Sequence, residues 1–115
     1  MIHFMSETRA NELRSEGETA DLELKLTEGL LAPSEALRVF WQSVIHDSDH
    51  WEIVKKEYQQ ELMGDCCQAG IELLSFYDKS GKNVWVMCEC TEATQCVRQL
   101  VAEVLAARDV EIFVE

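Results

Sequence analysis

Residues 70–77 (GIELLSFY) and 83–90 (NVWVMCEC) flank the polar stretch Asp78-Lys79-Ser80-Gly81-Lys82, and the reading of these two runs decides the fold. Both are apolar, of strand length and bounded by turn residues, so together they read as a β-hairpin. Gly81 suits a left-handed position in the five-residue loop, where Asp78 and Ser80 can accept hydrogen bonds from backbone amides. In the second run Val84, Val86, Cys88 and Cys90 point one way, and Trp85, Met87 and Glu89 the other.

Working outward, Thr91 is placed to cap a helix, with Glu92 in its first turn. Val97, Leu100, Val101, Val104 and Leu105 form its apolar stripe, which assigns Arg98, Gln99 and Glu103 to water. Val110 to Glu115 then alternates as a closing strand. Upstream, Asp21 to Thr27 (DLELKLT) alternates with Leu22, Leu24 and Leu26 on one face. Pro33 and Ser34 start a helix whose stripe is Leu37, Phe40, Trp41, Val44 and Ile45, ending near His46. A second helix over 50–63 aligns Trp51, Val54, Tyr58 and Leu62, with Gly64 at its end. Residues 1–20 read as a flexible polar extension carrying at most a frayed helix from Ser6 to about Glu16, and residues 21–115 as one α+β domain.

Strand, helix, extra helix, strand, strand, helix, strand is the order of a ferredoxin-like βαββαβ two-layer sandwich. The expectation is a four-stranded antiparallel sheet with an extra helix inserted before its second strand. In that arrangement Trp85, Met87 and Phe113, joined by Leu74 and Phe76, occupy the sheet face away from the striped helices. So much apolar surface calls for a cover, either the helix at 50–63 or a partner.

Twenty-two acidic residues against ten basic ones leave a net charge of −12, spread along the chain. That balance repels phosphate backbones and anionic membranes, which argues against direct nucleic-acid binding and suits a basic protein partner. No secretory signal and no apolar run near the roughly 20 residues of a membrane span can be read. The five cysteines are therefore expected as reduced thiols in a cytoplasmic protein, with no disulfide required.

Sites with chemistry are few. His46, Asp49 and His50 are the most ligand-like set, although the Asp-Ser-Asp between the histidines reads better as a helix junction. Cys66 and Cys67, beside Gly64 and Asp65 in a loop, are the expected reactive thiols. Cys88 and Cys90, two apart on a strand, read as small buried packing residues, and no C-x-x-C is present. No phosphate loop, nucleophile elbow or dinucleotide turn occurs. These features predict a small acidic, non-catalytic, regulatory domain that binds a protein partner or itself, as a homodimer through the open sheet face, with no cofactor. Two alternatives stand beside it: an acidic inhibitor that imitates nucleic acid, and a thiol or metal-binding protein.

Overall fold

The computed structural model describes residues 1–43, 48–89 and 96–115. In chain order its elements are β1 (Ile2–Ser6), α1 (Glu7–Ser15), β2 (Leu22–Lys25), α2 (Glu35–Ser43), α3 (Ser48–Leu62), α4 (Asp65–Lys79), β3 (Val84–Cys88), α5 (Val97–Ala106) and β4 (Ile112–Val114). The four strands form one sheet in the order β2-β3-β1-β4. Every pairing is parallel. The antiparallel ferredoxin-like expectation is therefore overturned.

The error begins at Gly70. GIELLSFY lies inside α4, whose buried residues are Cys67, Gly70, Ile71 and Leu74. That spacing of three, one and three is the inward stripe of a helix. Reading the run from Gly70 onward cuts Cys67 off the pattern and leaves a strand-length apolar segment. With α4 a helix, the expected hairpin between residues 70–77 and 83–90 does not form, and Gly81 (φ +76°) instead turns the chain out of α4. A parallel sheet also needs long crossovers between its strands, which the helical segments supply.

All five residues of β3 are buried. Burial on both faces is the mark of a parallel strand covered above and below. One cover comes from residues expected as a flexible extension. Ile2, Phe4 and Met5 are fully buried in β1, a central strand, and Ala10 and Leu13 of α1 pack on Met5, Trp85 and Met87. Ser6 caps α1, its Oγ accepting from Arg9 N at 3.1 Å. Helices α2 to α5 fill the opposite face, where Val84, Val86, Leu100, Val101 and Leu105 join Trp41, Trp51, Tyr58 and Ile71. Leu24, Phe40 and Val104 are half-buried against that core.

The split of helices between faces follows from handedness. The chain runs from β1 outward to β2 through α1, then reverses, passing to β3 through α2–α4 and on to β4 through α5. Right-handed crossovers in opposite directions put their helices on opposite faces. Ser34 starts α2 as its sequence suggests, Oγ accepting from Leu37 N at 3.3 Å. The expected cap at Thr91 and stripe residues Val44 and Ile45 lie outside the described residues. Among the described residues no helix is long and apolar enough to cross a membrane.

Candidate functional site

Adjacent strands β1 and β3 send their chains to opposite faces, β1 into α1 and β3 toward α5. The carboxyl ends of such a pair enclose a crevice, which is where open parallel sheets bind ligands. Here the facing residues at those ends are Ser6 and Cys88.

Cys88 has company. Its Sγ lies 3.0 Å from Sγ of Cys96, the residue that precedes α5. Arg98, in the first turn of α5, donates from Nη1 to Cys88 Sγ at 2.9 Å, and the same atom stands 3.8 Å from Cys96 Sγ. Arg98 Nε donates to the backbone carbonyl of Glu115 at 3.0 Å, tying the guanidinium to the end of β4. The Glu115 carboxylate meanwhile accepts from Arg9 Nε at 2.9 Å and meets His3 Nε2 at 2.7 Å. Glu115 thus joins the Arg98 side of the sheet to the α1 side.

Arg98 is 1% exposed, the one buried charged residue among those described. The apolar stripe of α5 assigns Arg98 to water, and the structure corrects this by placing it inside. Burying a guanidinium costs several kcal/mol unless hydrogen bonds and opposite charge offset the loss of water. A helix expected to open at Thr91 sets Arg98 well inside it, whereas α5 begins at Val97 and its first turn brings the cation to the positive end of the dipole.

Beside the sulfurs a cleft of about 280 Å³ opens between the ends of β2 and β3 and helices α2 and α3. Leu37, Trp41, Val54 and Val97 make it apolar; Arg38, Glu89 and Cys88 supply its polar and reactive groups. Arg38 is steadied by its Nη1 donating to the Thr27 carbonyl at 3.2 Å. Trp41 is braced by Trp51, with ring centres 5.4 Å apart.

The matching family model spans residues 6–109 and is described as DUF488-N3a, the active DUF488-N3 subclade. The chain belongs to this family. No curated protein and no solved structure matches it.

The residues singled out from sequence are scattered in the DUF488-N3a chain. Trp85 and Met87 lie under α1, and Leu74 is buried on α4. Phe76 and Phe113 are exposed, on α4 and β4 respectively, so the five do not form one face. Cys66 and Cys67 stand in the first turn of α4, not in a loop; Cys66 is exposed and Cys67 buried. Burial, then the negative charge of Glu61, pushes the Cys67 thiol up from its ordinary range and holds its proton. Asp49 is exposed at the start of α3, and His50 packs edge-on against Phe40 at 5.9 Å. His46 and Cys90 lie outside the described residues. Among the described residues no three His, Cys, Asp or Glu side chains are grouped to hold a metal.

Proposed function

We propose that the protein is a thiol-dependent enzyme whose nucleophile is Cys88, acting on a small, largely apolar molecule with an electrophilic carbon. The observation that carries this reading is the buried Arg98 guanidinium 2.9 Å from Cys88 Sγ at the crevice between β1 and β3. The reactive form of a cysteine is the thiolate, and an adjacent cation favours it. The cleft lined by Leu37, Trp41 and Val54 holds the apolar body of the substrate, with Arg38 and Glu89 as its polar contacts. The Cys88 sulfur attacks the electrophilic carbon and displaces a leaving group, which departs with a proton; water then attacks the same carbon, its bond to sulfur breaks, and the thiolate is restored. Description of the matched subclade as active agrees with a catalytic role.

Iodoacetamide labelling at pH 6.5, resolved by peptide mass spectrometry, tests the reading without a known substrate. A hydrogen bond to a charged group contributes about 1.5–3 kcal/mol. Arg98→Met should therefore slow Cys88 alkylation about tenfold or more, with Cys66 labelling unchanged. A preformed apolar ligand such as an alkyl-substituted iodoacetamide should label Cys88 faster than iodoacetamide does. Equal Cys88 rates in the wild type and Arg98→Met would refute the assignment.

A further inference from the structure

We infer that Cys88 and Cys96 are a redox pair: a hydroperoxide oxidises Cys88, and Cys96 closes on it as a reversible disulfide that switches the nucleophile off. The inference rests on Cys88 being the nucleophile proposed above, and it assigns the second sulfur of the cluster a role. The two sulfurs are 3.0 Å apart and both are buried. A disulfide has a sulfur–sulfur distance of about 2.05 Å, so a shift of about 1 Å joins them. Arg98 decides the order of events, because Nη1 is 2.9 Å from Cys88 Sγ and 3.8 Å from Cys96 Sγ. The better-supported anion, on Cys88, attacks first.

In the first step the Cys88 sulfur attacks the distal oxygen of the hydroperoxide. The O–O bond breaks, the alkoxide takes a proton and leaves as an alcohol, and Cys88 becomes a sulfenic acid. In the second, the Cys96 sulfur attacks the Cys88 sulfur. The S–O bond breaks, and the hydroxide leaves as water with the Cys96 thiol proton. Two thiols have supplied the two electrons that reduced one peroxide. An external dithiol returns the pair to the reduced state by exchange. Burial of both sulfurs favours this course over further oxidation, since Cys96 is in contact before a second peroxide can enter.

The test adds one equivalent of tert-butyl hydroperoxide to the reduced full chain and maps the thiols by peptide mass spectrometry. Expected are the loss of two thiols, a peptide linking Cys88 to Cys96, loss of Cys88 alkylation, and recovery of all three readings with dithiothreitol. Cys90→Ser should leave the linkage intact. Cys96→Ser should instead give a Cys88 adduct with dimedone, the trap for sulfenic acid, which the wild type lacks. A linkage between any other cysteines, or a Cys88 that keeps its thiol, overturns the inference. Failure of this pair alone, with Arg98-dependent alkylation of Cys88 intact, leaves the nucleophile standing. Failure of the alkylation test removes the nucleophile itself.

Discussion

Tyr58 is a single side chain on which two segments depend. Fully buried, its hydroxyl donates to the Leu31 carbonyl at 2.5 Å, pinning the turn after β2 to α3. Tyr58→Phe leaves that buried carbonyl without its donor, at a cost of about 1–3 kcal/mol, read as a lower urea midpoint with an unchanged slope. The same residue carries a pH dependence. Burial first, then the negative charge of Cys67 and Glu61, pushes the Tyr58 phenol far up, and Cys67 is also raised. Folding holds both protons, so the contribution is intact below the unfolded pKa values of about 8.5 and 10 and is lost as pH rises through and beyond them. Stability should fall on the alkaline side by up to about 1.4 kcal/mol per pH unit for each group, and Tyr58→Phe should flatten the fall above about pH 10. Tyr58 was legible as a core residue from its place in the stripe Trp51, Val54, Tyr58, Leu62. Arg98 was not, because periodicity ranks residues by polarity and cannot see that a cation is wanted inside.

Elements were read well where one face alone is apolar. Helices α2, α3 and α5 and the strand β2 each carry a clean period, and each formed. The stripe of α5 has its own check: Leu100→Ala should cost about 2–5 kcal/mol in chemical denaturation, since Leu100 sits in the main core at 2% exposure. Legibility failed at α4 and β1 for different reasons. In α4 a glycine and a cysteine occupy two of the four inward positions, and neither registers as an apolar anchor in a short window. In β1 the pattern IHFMS is five residues with a histidine on the α1 face, too short to show a period. Gly70 has a reason to be there: an added Cβ would stand 2.8 Å from Leu31 Cγ and 3.1 Å from Leu30 Cβ. Alanine gains about 1 kcal/mol in helix propensity but overpacking costs about 1–3 kcal/mol. Gly70→Ala should therefore lower the melting temperature, and pairing it with Leu31→Ala should cost less than the sum of the two.

At the scale of the whole molecule the charge of −12 is the dominant field. Self-repulsion of that size opposes compaction, and salt screens it over a length that shrinks from about 30 Å at 0.01 M to about 8 Å at 0.15 M. The thermal midpoint should rise by a few degrees over that range of sodium chloride; a fall would mean that the ion pairs of Arg14 with Glu23 and Lys25 with Glu7 outweigh the repulsion. The sheet order has a further consequence, one of timing. Both β1 and β2 pair with β3 and not with each other, and the first residue that Ile2 can pair with along the chain is Val84, before Ile112. During synthesis no strand of the sheet can therefore hydrogen-bond to another until β3 has left the ribosome, although Ile2, Phe4 and Met5 have long since emerged. Such distant pairing makes for slow folding, and the nascent chain has to wait with its apolar first strand uncovered, a natural client for whatever shields newly made chains from one another.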